Sequence, residues 1–481
     1  MGIAVSSKKQ NEFFELFVYI VGAVFLVYFV PAPVNKFLFL AVLPFAWKSK
    51  KDYFWLAFFL ILIDQPGGLF SGGKRDDAFR LPIYTILLGF AFTIYELYLI
   101  LFLLKIKLKS EYRSNKKPVF FAQELNTLVL LFILLVSISP FIGMSFKAVN
   151  EVIKIVINLT LFYSMFYIIP DLDKLIRFLK LIFPFAFIAV ILQVFSLANG
   201  FQIVHLVKPN IEITQGVFNV FGEGEIERPI ELVSILFICF SGSLLMIRLK
   251  AKAFNINYLW TINLISFVSI FMTGTRSWFL AFVIGYIVFL FLSRNEISKI
   301  LYRSLVGIFI VICVSFYIPS ISRQIEAAAT RIVTINKVIE GDFTAGGTLL
   351  RIDQRAPKVM AAFNQSTWVF GAAFSDLHRE HQDFHVGYHN LLLNVGVIGI
   401  LAFLFLFLRI IIKGILVNVN DKQKLTSTAL IGLIILFVIN TGSQTIGFNV
   451  VYDTRFFIQA YVLVVISIIY RYTSTQNRKL A

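Results

Sequence analysis

Four of the five histidines in the chain, His378, His381, His385 and His389, fall in one polar stretch between Thr348 and Leu401. The same stretch carries Arg351, Arg355 and Arg379, a turn at Gly371, and Tyr388-His389-Asn390 at the mouth of a new apolar run. On a helix, the spacing of His381, His385 and His389 would put three imidazoles on one face, as a zinc site requires. The intervening Gln382-Asp383-Phe384 and Gly387 argue instead for a loop or short turn. The order His378-Arg379-Glu380-His381 fits neither zinc-protease helix motif. The reading is therefore metal-free, with His378, His381 and His385 in a surface or headgroup role. His389 stands apart, because it lies where water meets a helix start. A neutral imidazole there, with Asn390 beside it, is suited to act as a general base.

Two arginines could handle a phosphate. Arg276 lies between two apolar runs with almost no loop between them. A guanidinium so placed either snorkels to lipid headgroups or clamps phosphate oxygens with its planar fork. Arg228 stands among Glu223, Glu225, Glu227 and Glu231. It either pairs with them or works with the next helix. Pro229 suits a first helical turn, which would put Arg228 at the positive end of a helix dipole.

The elements that must hold these residues follow from composition. Of 481 residues, 58% are hydrophobic and 15% charged, more apolar surface than a soluble chain can hide. Runs long enough to span a bilayer recur at 13–31, 34–47, 52–70, 81–104, 124–143, 148–169, 179–199, 229–248, 257–274, 277–293, 304–320, 389–411, 425–448 and 455–470. The expected fold is an all-α polytopic membrane protein of about 14 transmembrane helices, a single integral membrane domain over 1–481. The run from Phe13 lacks a small-residue cleavage site and reads as a retained helix. Cys239 and Cys313 lie inside apolar runs, against a disulfide or thiol metal site.

The formal charge of +17 does not point to nucleic acid, because the basic residues cluster in short loops on alternate sides. Membrane lipids take most of that excess. The alternation puts both termini in the cytoplasm and 71–80, 200–228 and 321–388 outside. Within the large outer loop 321–388, apolar spacing predicts an amphipathic helix over 322–340, and a second helix is expected from Leu349 to Phe363.

Taken in order, these residues resemble the O-antigen ligase and polymerase family of bacterial envelope glycan assembly. The resemblance covers about residues 200–412. It rests on Thr273-Gly274-Thr275-Arg276, on Arg228 at a span start, and on Arg351 heading a helix. It continues through Trp368-Val369-Phe370-Gly371 to His389-Asn390, opening a span with Gly396 and Gly399. The family often has a second glycine after the first turn, where this chain has Ala372 and Ala373. The resemblance implies a glycosyltransferase of the bacterial cytoplasmic (inner) membrane, using a glycan on undecaprenyl pyrophosphate, without cofactor or metal. Arg276 and Arg228 would stabilise the leaving pyrophosphate, and His389 would deprotonate the acceptor, inverting the anomeric carbon. Arg351, Arg355, Tyr388 and Asn390 are assigned to substrate binding.

The expected partners are the lipid-linked donor, an acceptor glycan or lipid, membrane lipids and a chain-length regulator. A repeat-unit polymerase is favoured. The alternatives are a ligase acting on lipid A core or protein, and a flippase of lipid-linked anionic glycan. For the flippase, Glu96, read as an acidic residue deep in a span, is the one supporting feature.

Overall fold

The computed structural model describes residues 11–64, 81–85, 90–114, 122–199, 203–206, 218–220, 224–226, 232–292, 298, 302–303, 305–307, 309, 313, 316–339, 348–383, 386–416, 458, 460–469 and 471. The described residues are mostly helical, 84%. Among the described residues, four helical stretches are long and apolar enough to cross a membrane: Glu12–Phe29, Phe146–Ile168, Leu172–Asn199 and Gly387–Phe405. Shorter apolar helices accompany them, including Asp52–Ile63, Val233–Arg248, Ile256–Met272 and Ala460–Ile469. Helices suit this composition, since each satisfies its own backbone groups without water.

In chain order the first helices are α1 (Asn11–Phe29), α2 (Ala32–Lys48) and α3 (Asp52–Ile63). The expected run 81–104 divides. Residues Ile83–Thr85 (β1) and Ala91–Thr93 (β2) pair as an antiparallel hairpin, leaving α4 (Ile94–Leu108) as the helix. Thr93 and Glu96 form a reciprocal capping box at its start. Glu96 is thus a helix cap, which corrects its reading as a charge deep in a span. After α5 (Ser110–Ser114) come α6 (Ala122–Ile142) and α7 (Phe146–Ile168). The expected run 179–199 starts earlier, as α8 (Leu172–Ile182), which meets α9 (Pro184–Asn199) at Phe183.

Next are β3 (Phe218–Val220) and β4 (Gly224–Ile226), a second hairpin, then α10 (Val233–Arg248), α11 (Ile256–Met272) and α12 (Arg276–Leu292). Then come α13 (Pro319–Ile339), α14 (Thr348–Asn364), α15 (Asp376–His381) and α16 (Gly387–Leu416). The two helices expected at 322–340 and 349–363 correspond to α13 and α14. The run 425–448 lies outside the described residues.

The core centres on α3 and α10. Every residue of α3 from Asp52 to Leu62 is buried, and α10 is nearly as enclosed. Such helices, apolar all round, belong inside a bundle. Around them pack α1, α8, α9 and α11. Between α10 and α11, small and polar residues allow close approach, and Asn263 donates to the Ser243 hydroxyl at 3.1 Å.

The bundle has two chemically distinct ends. At one, Lys105 is buried and donates to the carbonyls of Ala46 (3.1 Å) and Ser49 (2.6 Å) and to the Asp52 carboxylate. All three ammonium protons therefore have acceptors. Tyr112 donates to the other Asp52 oxygen, and Lys109 to Trp47 O at 2.8 Å. Lys51 pairs with Glu12 at 3.2 Å, Lys174 lies 5.1 Å over the Tyr53 ring, and Lys180 lies 5.6 Å over Phe254. Basic residues from three separate segments thus gather at one end. At the other end stand the β1–β2 hairpin, whose Phe90 meets Phe146 at 5.3 Å, the α6–α7 turn and the segment 365–390.

Candidate functional site

The polar stretch folds as a strap laid across the entrance of α16. Two glycines make this possible. Gly396 interrupts α16 with φ 63 and ψ −171. The break lets the turn 367–371 approach: Val397 N donates to Trp368 O (3.3 Å), Ile398 N to Val369 O (3.2 Å), and Ala372 N to Leu393 O (2.7 Å). The turn itself closes through Gly371 N to Thr367 O at 2.6 Å. A Cβ on Gly371 would lie 2.4 Å from Leu393 O, and one on Gly396 would lie 2.3 Å from Val369 O. Both neighbours are backbone atoms, so no side chain can yield to make room. Here the positive φ and the close approach both require glycine.

Beyond Gly371, adjacent alanines face different cores. Ala372 packs with Val359, Phe363 and Leu393, between α14 and α16. Ala373 packs with Leu135, Phe374 and Leu391, against α6. Ala373 adopts φ 49, a conformation that favours glycine, and its carbonyl is held by Asn394 Nδ2 at 2.8 Å. Phe374 N then donates to Ser139 Oγ at 3.0 Å. Asp376 reaches the start of α7, where its carboxylate accepts from Ser145 N (2.7 Å) and Ser145 Oγ (2.6 Å). Arg379 Nε also donates to it, at 3.1 Å. The Ser145 hydrogen bond, assisted by Arg379, holds the Asp376 carboxyl below the usual carboxylate range.

The last tie lies next to the candidate base in the chain. Arg355 on α14 pairs with Asp383 at 3.3 Å, and Asp383 N donates to Asn390 Oδ1 at 3.2 Å. Asn390 is buried and Tyr388 half-buried. His389 is half-buried, and among the described residues its ring makes no hydrogen bond. Of the residues expected to bind substrate, Arg355 and Asn390 thus both bond to Asp383. Asp383 itself drew notice in the sequence only as part of a polar run. No local spacing announces that Arg355, Asp383 and Asn390 meet.

Arg276 stands elsewhere. Thr273-Gly274-Thr275 turns the chain from α11 into α12, with Gly274 at φ 59, and Arg276 is the first residue of α12. Gln324 of α13 is buried and donates to Met272 O at 2.7 Å, fixing α13 against this turn. Strand β3 packs against α13 as well. Arg228 follows that hairpin and lies outside the described residues. Arg351 lies in the first turn of α14; its side chain and that of Arg276 are not among those described. The principal packing partners of the two groups differ: α6 and α14 for α16, α11 for α12.

Two expectations are corrected. Helix α10 starts at Val233, not at Pro229, and Leu232 before it has φ 50. Its first turn already holds a carboxylate, since Asp64 accepts from Ser234 N (3.3 Å) and Ile235 N (3.1 Å). An anion does sit at the positive end of that dipole, but it belongs to the protein. His378, read as a surface residue, is buried, and its Nε2 has no hydrogen-bond partner among the described residues. Desolvation pushes its imidazole down to about 4. His381 is exposed, with Nδ1 3.1 Å from Leu377 O, and His385 lies outside the described residues. Among the described residues no group of three or more His, Cys, Asp or Glu is placed to hold a metal ion. Compared with known proteins, the chain matches no family model, no curated protein sequence and no solved structure.

Proposed function

We propose that this protein is a membrane glycosyltransferase that polymerises undecaprenyl-pyrophosphate-linked repeat units into a surface polysaccharide. The observation that carries the reading is the state of His389. It is half-buried at the mouth of an apolar helix, without a hydrogen-bond partner among the described residues, while Asn390 beside it is tied through Asp383 to Arg355. An imidazole held this way has a lone pair for an acceptor hydroxyl. As the hydroxyl attacks the anomeric carbon, His389 takes its proton and the bond from sugar to pyrophosphate breaks. Negative charge then grows on the phosphate oxygens.

Arg276 suits that charge, because it stands on the first turn of α12, and both a guanidinium and a helix N-terminus favour an anion. Arg228 is its proposed partner, and Arg351 binds the donor from α14. The polyprenyl tail would lie along the apolar helices, with the reaction on the outer side of a bacterial cytoplasmic membrane. Neither metal nor cofactor takes part, since fixed cations stabilise the leaving group.

The test is surface glycan length in cells carrying His389→Ala, Arg276→Ala, Arg276→Lys or Arg228→Ala at wild-type protein level. Each is expected to lower chain elongation by about 100-fold or more, with lysine a poor substitute for the arginine fork. A polymerase defect leaves single repeat units on the acceptor. A bare acceptor, with long chains retained on the lipid carrier, would identify a ligase. Normal chain lengths in the His389 and Arg276 variants would overturn the site.

A further inference from the structure

Helices α11 and α12 and the helical residues around 302–307 enclose a cavity of about 440 Å³ at the basic end of the bundle, away from the strap. Its walls are apolar over most of their extent, with Leu264, Phe267, Val283 and Ile287 among them. Ile287 is exposed, so the cavity opens sideways on the outer surface of the bundle. Asn257, at the start of α11, lies at one extreme and Phe267 at the other. Ten residues of helix separate them, about 15 Å. That is the depth of one leaflet, half of a hydrocarbon core of about 30 Å.

The polar groups gather at the Asn257 extreme. Arg303 lines the cavity there with its guanidinium 6.0 Å from the Trp260 ring centroid. Among the described residues Arg303 has no acidic partner. Trp260 also lines the cavity, and its indole Nε1 is buried without an acceptor among the described residues. This extreme adjoins the turn bearing Lys250 and Lys252, where the other basic residues collect.

We propose that this cavity binds an anionic glycerophospholipid of the leaflet at the basic end. One acyl chain fills the groove between α11 and α12, the phosphate meets Arg303, and an ester carbonyl accepts from the Trp260 indole. Charge selects the occupant: a guanidinium stacked on an indole at headgroup depth, backed by lysines, favours a net-negative headgroup over a zwitterion. The site is independent of the reaction assigned to the opposite end, so either can fail without the other.

Trp260 reports directly on occupancy. The full-length protein is placed in phosphatidylcholine nanodiscs containing a minor fraction of lipid brominated on its acyl chains. The lipid is either phosphatidylglycerol or phosphatidylcholine. The Trp260 signal is the difference between wild type and Trp260→Phe. Brominated phosphatidylglycerol is expected to quench it about fivefold more effectively than brominated phosphatidylcholine at equal fraction. Arg303→Gln should equalise the two lipids, and Val283→Phe, which narrows the groove, should weaken quenching by both. Excess soluble glycerol phosphate should change nothing. Equal quenching by the two lipids in the wild type would overturn the proposal, as would absence of Trp260 quenching. Loss of the preference on adding glycerol phosphate would show a phosphate site without the lipid and overturn it too.

Discussion

His378 and His389 are the same residue type eleven positions apart, and burial gives them different chemistry. His389, on the first turn of α16, keeps a ring that a hydroxyl can reach. His378 is enclosed on α15, and burial pushes its imidazole down to about 4 from the ordinary 6.5. The sequence made the distinction for His389, because an apolar run begins just after it. It did not for His378, because the burial of that ring comes from the tertiary fold and leaves no local sequence signal. The depressed value has a consequence for stability. Folding favours the neutral ring, so the unfolded chain binds more protons between pH 6.5 and about 4. The contribution is fully present above 6.5 and is lost as pH falls through that window, at up to about 1.4 kcal/mol per pH unit. Thermal unfolding of the purified protein, followed from neutral to mildly acidic pH, should therefore fall more steeply for wild type than for His378→Gln. Parallel curves would show that the ring is not held neutral by the fold.

At the level of elements, the helix starts explain where an external anion can and cannot bind. The first turn of α7 takes the Asp376 carboxylate, that of α10 takes Asp64, and α4 is closed by Glu96. Each uses an internal acid to satisfy N–H groups that would otherwise attract phosphate. The roles proposed for Arg276 and Arg351 lie at other helix starts, those of α12 and α14. The helices themselves were legible from apolar period. Their caps were not, because Asp64 and Ser234 are joined across 170 residues and Ser145 and Asp376 across 231.

The break in α16 is similar: Gly396 was visible as a small residue in a span, but its pairing with Gly371 exists only in the fold. Gly396→Ala places a Cβ 2.3 Å from Val369 O in a left-handed conformation. It should cost about 2 kcal/mol or more and release the strap. Ala373→Gly should do the reverse, relieving φ 49 for a gain of about 1 kcal/mol. Limited proteolysis between residues 365 and 386 measures both: faster cleavage than wild type for the first, slower or equal for the second. Unchanged cleavage in Gly396→Ala would mean that the strap does not depend on the glycine contact.

Across the whole molecule, the separation of the two ends is what the alternation of basic loops encodes. Lys51, Lys105, Lys109, Lys174 and Lys180 come from three separate segments and meet the same end of the bundle. The opposite end exposes Phe141, Phe146 and Trp368, and tryptophan is a residue type enriched at membrane surfaces. That these lysines gather at one end was therefore readable from charge. The number of spans was not, because an apolar run can be spent otherwise: 81–104 gives part of its length to a hairpin, and 179–199 is entered through the amphipathic α8.

If the basic end faces the cytoplasm, the strap, α13 and α14 all lie outside, where a lipid-linked glycan is presented. Reporter fusions after Asn295, Asp342 and Gln476 test this at three points. The fusion at 342 should be active only as an exported reporter, and those at 295 and 476 only as cytoplasmic ones. An inward reporter at 342 would put His389 on the wrong side for an outer-leaflet donor and defeat the proposed reaction. An outward reporter at 476 with 342 still outside would leave the site intact. It would require an odd number of crossings after α16, within the part of the chain where the sequence supplies the runs 425–448 and 455–470.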